Sequence, residues 1–242
     1  MSLPERRARR HLAAQVGDPE LRARLLPDFR FGCKRVLISD DYLRALDQPN
    51  VDLETSGIKA VTPAGILDNT GREHAVDAIV FGTGFQTSRL PLTDRTFDAA
   101  GRSMAQVWGN SPTAYLGTTV AGFPNIYLIH GPNIGLGHTS VIHMFESQAN
   151  YIAGAIRYVA DNGLAAVEPT VAAQREFSRD VDRLGEGTVW TSGGCTSWYL
   201  NDEGRNTNIW PGSTYDFRRR TLRFDPTRHL LHAGTATPAG VR

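Results

Sequence analysis

The chain has 242 residues, 40% hydrophobic and 21% charged, with a formal net charge of +1. That length suits one or two domains with a real core, and the balanced charge excludes a general attraction to nucleic acid. No apolar run reaches the ~18 residues of a membrane span, and the charged N-terminus has no hydrophobic segment behind it. Cys33 and Cys195 show neither metal-ligand spacing nor a disulfide framework, so separate thiols in a reducing, cytoplasmic setting are expected.

Residues 4–26 read as helix, restarted at Asp18-Pro19, with Leu12, Ala13, Val16, Leu21 and Leu25 apolar. Arg6, Arg7, Arg9 and Arg10 fit a solvated helix face, with phosphate contact the alternative. A Gly32-Cys33 turn then delivers two adjacent cations, Lys34 and Arg35, at the mouth of an expected strand over residues 35–39. Short strands are expected at 51–54, 58–61 and 65–67, followed by an Asp68-Asn69-Thr70-Gly71 turn and a buried-type strand at 75–81. Gly82-Thr83-Gly84-Phe85 comes next. Ser88-Arg89-Leu90-Pro91 does not continue as a helix, so this is no dinucleotide-binding fingerprint.

Residues 86–120 are rich in turns and end in an expected strand at 114–120, with Trp108 and Tyr115 read as core. The central stretch is an expected strand at 125–129, a loop carrying Gly131, Pro132, Asn133, Gly135 and Gly137, and a helix opened by Thr139 or Ser140. Val141, Ile142, Phe145, Ala149, Ile152, Ile156 and Val159 form its apolar stripe, with Glu146, Gln148 and Asn150 elsewhere around the turn. A helix opening after a glycine loop aims unpaired N–H groups and a positive dipole end at its surroundings, which suits an electron-rich cofactor edge. The plainer alternative is a helix packed on a sheet, with glycines that only shape a turn. Asp161-Asn162-Gly163 ends the helix, and a second follows at 171–184. Residues 191–199 form a small-residue loop ending in Trp198-Tyr199, residues 204–212 form another, and Arg218, Arg219, Arg220 and Arg223 read as a basic surface strand.

Several of these residues together resemble the Baeyer–Villiger-type flavin monooxygenases. The matching segments are Gly32-Cys33-Lys34-Arg35 with its hydrophobic run and Asp41-Tyr42, Gly82-Thr83-Gly84-Phe85, Pro124-Asn125-Ile126, Gly131-Pro132-Asn133, Leu136-Gly137-His138, Gln148 with Tyr151-Ile152, and Ser197-Trp198-Tyr199. The resemblance implies FAD and NADPH as cofactors and a catalytic Arg35. It implies cofactor contacts from Lys34 (the NADPH 2′-phosphate), from Gly131, Pro132, Asn133 and Thr139 (the flavin), and from Trp198 (a control loop folding over NADP). The chemistry suits these types: an ammonium is a good point charge for phosphate, and a guanidinium that never deprotonates stabilises anionic oxygen.

It further implies an α/β, Rossmann-like fold of two partial dinucleotide-binding domains: the end of an NADPH domain at 1–81, a hinge at 82–85, the end of an FAD domain at 86–185, and a control-loop-like tail at 186–242. No strand followed by Gly-x-Gly-x-x-Gly precedes Gly32, and Gly135-x-Gly137-x-x-Ser140 ends in serine. The chain therefore reads as a fragment, the C-terminal half of an enzyme whose partner is a missing N-terminal half. The implied reaction uses O2 and NADPH to insert oxygen into a ketone or to oxidise a sulfide or amine; the alternative is a non-catalytic remnant that binds a partner. No Gly-x-Ser-x-Gly or His-Glu-x-x-His occurs, and His138 and His143 are poorly spaced for a shared ion, so no metal site is expected.

Overall fold

The computed structural model describes residues 2–84 and 90–234. They form two compact units, one of residues 1–31 with 36–85 and one of residues 32–35 with 86–242. Phe85 of the expected hinge, with Ser88 and Arg89, lies outside the described residues.

In the first unit, Ser2 opens α1 (Leu3–Gln15) with a capping box: its hydroxyl accepts from the Glu5 N–H, and the Glu5 carboxylate accepts from the Ser2 N–H at 2.6 Å. Asp18 caps α2 (Pro19–Leu25) by accepting from the Glu20 and Leu21 N–H groups. Leu12, Val16 and Leu21 are buried together, with Leu25, Leu43 and Leu53 against them, while Arg6, Arg7, Arg9 and Arg10 are exposed. After α3 (Tyr42–Leu46) comes an antiparallel meander, β1 (Ile58–Thr62), β2 (Gly65–Asp68) and β3 (Glu73–Ala75).

The other strands expected here do not form. Residues 36–39 are irregular, with Leu37 and Ile38 at 84% and 96% exposure. Residues 51–54 carry no strand, and the run at 75–81 leaves the sheet after Ala75, with Val80 and Phe81 largely exposed. Apolar content alone makes no strand; it needs a neighbouring ladder, and these runs have none among the described residues.

The second unit comprises α4 (Met104–Trp108), α5 (Val141–Asp161), β4 (Leu164–Pro169), α6 (Val171–Gly185), α7 (Val189–Ser192), α8 (Thr214–Thr221), a 3₁₀ turn (Pro226–Arg228) and β5 (His229–Ala233). β4 and β5 pair antiparallel, so the two sheets among the described residues of this α/β chain are both antiparallel. The main core gathers Leu116, Ile134, Met144, Tyr151, Phe177, Val181, Trp210 and Phe217, with Trp210 stacked on Phe177 at 5.9 Å. A second cluster holds Met104, Trp108, Val120, Phe123 and Leu128.

Residues 114–120 and 125–129 are not strands; only isolated bridges join Tyr115 to Thr119 and Thr119 to Tyr127. Left-handed backbone at Leu116, Gly117, Asn125, His130 and Asn133 interrupts any extended run there. The arginines at 218–220 lie on α8 rather than on a strand, because Ser213 caps the segment by accepting from the Asp216 N–H and buried Phe217 and Thr221 hold its inner face.

The buried face of α5 also differs from the expected stripe. It runs through Met144, Ser147, Gln148, Tyr151 and Ala155, while Ile142 and Ile156 remain more than half exposed. Gln148, expected on a polar face, is wholly buried.

Candidate functional site

The loop entering α5 is built from the inside by Gln148. Its Nε2 donates to the carbonyls of Gly117 (2.9 Å) and Leu128 (3.2 Å) and to the Thr118 hydroxyl (2.9 Å), and its Oε1 accepts from the His130 N–H at 3.1 Å. One buried amide thus fixes both strands of chain beneath the glycine loop. Gly131 follows, where a Cβ would strike the Gly117 carbonyl, and Pro132 is buried. Asn133 sits at φ +60° with its side chain donating to the carbonyls of Asn206 (2.9 Å) and Ile209 (3.4 Å). Gly135 exchanges backbone hydrogen bonds with the 208–210 segment, from its N–H to Asn208 and to its carbonyl from Trp210, each 2.8 Å.

Gly131, Pro132 and Asn133 are therefore interior residues held by the chain itself. The exposed part of the stretch is residues 137–140. Gly137 lies against the Trp190 indole, which a Cβ would approach to 2.8 Å. The Thr139 hydroxyl and N–H both contact His138 Nδ1 at 2.9 Å. Ser140 is the N-cap of α5 but makes no side-chain cap bond, so the 21-residue helix presents its first-turn N–H groups without a side-chain acceptor from that residue.

Arg35 reaches this loop from 101 positions away: its Nη1 donates to the Leu136 carbonyl at 2.9 Å. The Tyr199 phenol lies near this guanidinium. Burial pushes that phenol up from its ordinary value while the nearby Arg35 charge and hydrogen bond pull it down. Trp198 is 51% exposed, with its ring 4.5 Å from that of Tyr199. Lys34 is exposed beside Arg35.

The expectation for the cysteines is overturned: Cys33 and Cys195 are joined by a disulfide across 162 residues, their Cα atoms 6.1 Å apart. Nothing in the spacing of two distant cysteines foretells a pairing that the tertiary fold creates.

The structure thus gathers Arg35, the Leu136 end of the glycine loop, Tyr199 and the Cys33–Cys195 bond, with Lys34 and Trp198 as chain neighbours. Sequence reasoning singled out Gln148 only as part of a resemblance, without its structural role, and missed Trp190 and the disulfide. Glycine at 137 was a signal of close approach, but not of what approaches.

Two surface hollows, of about 450 and 730 Å³, lie elsewhere, one between α5 and α8 and one along α6; neither is lined by any of the expected site residues. In the first unit Glu54, Asp68 and His74 lie close enough to share a cation. Asp68 already accepts from Thr70 and the Arg72 N–H and lies 3.0 Å from His74 Nε2. These bonds hold its carboxyl well below the usual carboxylate range, and the cluster serves as the clamp of the β2–β3 turn. Among the described residues no helix is long and apolar enough to cross a membrane.

No family model matches the chain. Relatives are nevertheless clear. A Baeyer–Villiger monooxygenase of Streptomyces coelicolor is 46% identical over 222 residues, 91% of this chain and 43% of the relative. One of Pseudomonas aeruginosa is 43% identical over 239 residues, 98% of this chain and 45% of the relative. Among solved structures, cyclohexanone monooxygenase from Rhodococcus sp. Phi1 bound to NADP+ matches with a TM-score of 0.79 at 26% identity, over 95% of this chain and 44% of that one. The OTEMO complex with FAD and NADP matches with a TM-score of 0.82 at 25% identity, over 94% and 44%. The fold is that of flavin monooxygenases. The chain is a homologue of the Baeyer–Villiger-type enzymes among them, and it spans less than half the length of the relatives it matches.

Proposed function

We propose that this chain supplies one half of a monooxygenase site that uses FAD, NADPH and O2 to insert one oxygen atom into a ketone or to oxidise a sulfide or amine. The other half, with the glycine loops for the cofactor pyrophosphates, corresponds to the part of the relatives that this chain does not span. In this reading the chain is the C-terminal half, with residues 1–81 closing the NADPH domain, 82–85 the hinge, 86–185 closing the FAD domain and 186–242 the tail, at work in the cytoplasm.

The observation that carries the proposal is the hydrogen bond from Arg35 to the Leu136 carbonyl. Two segments far apart in sequence bring a permanent cation to the end of a loop whose next residues open α5. The donor set fits the cofactors. Residues 137–141 offer backbone N–H groups and a helix dipole to an electron-rich ring edge, and Lys34 is a point charge for a phosphate.

The chemistry supplied by bound FAD is passage of two electrons from NADPH to O2; for a ketone the balance is ketone, O2, NADPH and a proton giving ester, water and NADP+. The protein's part is positional and electrostatic. Arg35, pinned by its bond to Leu136, would hold a guanidinium where negative charge develops on oxygen. Lys34 takes the nicotinamide cofactor's phosphate. Gly131, Pro132 and Asn133 hold the loop in place through their buried partners, and Thr139 sits at the helix entrance. Trp198, at the edge of the 193–199 loop, closes over the bound nucleotide and excludes water.

The test joins this chain to the remaining sequence of the Streptomyces coelicolor relative and measures ester formed from a ketone against NADPH consumed. Replacing Arg35 with Ala should lower ester formation by about 100-fold or more, with Arg35→Lys restoring only part. Unchanged ester formation in Arg35→Ala would remove the arginine from the chemistry.

A further inference from the structure

The disulfide stands at a place that the proposed reaction does not use. Cys33 immediately precedes Lys34 and Arg35, and Cys195 lies in the loop that leads to Trp198 and Tyr199. Cys33 is buried at 1% exposure while Cys195 is partly open. The loop is packed on the buried sulfur: a Cβ at Gly193 would come within 2.6 Å of Cys33 Sγ.

Around this bond the second unit is held by other means. Tyr199 and Trp210 are buried, and residues 206–210 are tied to Asn133 and Gly135 by side-chain and backbone bonds. α6, α8 and the core between them need no cysteine. Residues 193–198 are irregular, and Gly193 and Gly194 give them little intrinsic stiffness.

We propose that the Cys33–Cys195 disulfide is a redox latch that holds the 193–198 loop, and with it Trp198, down on the Lys34-Arg35 segment, and that reduction by a dithiol frees the loop without unfolding the unit. The effect on turnover rests on the functional reading above; the latch itself does not.

The exchange proceeds from the accessible side. A thiolate of the dithiol attacks Cys195 Sγ, the sulfur–sulfur bond breaks, and Cys33 leaves as the thiolate with the bonding pair. The second thiol of the reductant then resolves the mixed disulfide, releasing Cys195. Two electrons and two protons pass from the dithiol to the cysteine pair, and the reductant leaves as its own disulfide. Oxidation by a disulfide runs the same steps in reverse.

Thiol titration and hydrogen–deuterium exchange on the purified chain test this directly, with and without dithiothreitol. The expected results are no free thiol after treatment with oxidised glutathione, two after reduction, and exchange in the 193–199 peptide at least about tenfold faster when reduced, with the α5 and α6 peptides unchanged. The variant Cys33→Ser with Cys195→Ser should show the fast loop in both buffers. Two free thiols under oxidising conditions would overturn the latch, as would a loop whose exchange ignores reduction. Loss of helical circular dichroism on reduction would overturn it too, since the bond would then staple the whole unit. None of these readouts needs a flavin, so failure of the monooxygenase reading leaves the test of the latch intact.

Discussion

Gln148 shows how much of the loop before α5 depends on one buried side chain. Four hydrogen bonds leave no part of its buried amide unused. Replacing it with Ala would strand the buried Gly117 and Leu128 carbonyls, for which a loss of about 2–4 kcal/mol is expected. Urea denaturation of Gln148→Ala checks this; a midpoint within error of the parent would show that water replaces the amide. In sequence the residue shows as one polar position on an amphipathic helix and as part of the resemblance to the flavin monooxygenases, neither of which tells what it bonds. Its role follows from two loops that curl under α5, and no helical period encodes those. Lys34 and Arg35 stand out in the sequence as two adjacent cations after a glycine turn, but the bond of Arg35 to Leu136 follows from the fold and not from that pattern. The disulfide was not legible, since residues 33 and 195 meet only through the tertiary fold.

At the scale of elements, the long helices were the readable part. Asp18-Pro19 and Asn162-Gly163 mark helix ends by local chemistry, and the structure starts or stops helices there. The caps at Ser2 and Thr170 were not read from the sequence, nor were the short helices α3, α4 and α7, and α8 was expected as a strand. Strands were less readable, since residues 36–39 and 75–81 have the right apolar side chains but lack a ladder, and 114–130 is broken by left-handed residues.

The joint between α5 and β5 gives an element-scale prediction. His229 Nδ1 donates to the Asp225 carbonyl, which leaves Nε2 to accept from the Tyr151 hydroxyl at 2.9 Å. Burial pushes the His229 pKa below its ordinary 6.5, more than the Asp225 carbonyl and charge raise it, and burial does the same to His130. Below pH 6.5 the unfolded chain therefore binds more protons than the folded one. Their contribution to stability is complete above that pH and is lost as pH falls from it toward the depressed folded values. Urea midpoints should fall between about pH 8 and about pH 5.5, with a shallower fall in His229→Gln. An equally steep fall in the variant would assign the dependence to other groups.

For the whole molecule, the exposed apolar residues and the cofactor-facing loops tell one story. Leu37, Ile38, Val80 and Phe81 in the first unit, and Ile129 and Ile142 in the second, are large side chains left in contact with solvent. In the function proposed above, Arg35, Lys34, residues 137–141 and Trp198 would line one cofactor site, and the Gly-x-Gly-x-x-Gly loops that bind a dinucleotide pyrophosphate would come from outside this sequence. The likeness to proteins more than twice as long agrees with this division of labour.

The family was legible from short motifs, because those motifs carry backbone and charge requirements that survive outside their context. The architecture was less so, because the expected Rossmann-like sheet depends on strand partners that a local pattern cannot supply. The measurement that bears most directly on the account is a fluorescence titration of FAD with the purified chain, with and without NADPH. The account predicts a colourless protein and no saturable quenching at micromolar FAD, with binding gained when the remaining sequence of a relative is joined to it. A chain that purifies yellow, or that quenches FAD stoichiometrically by itself, would contradict the account and show that these residues form a complete flavin site.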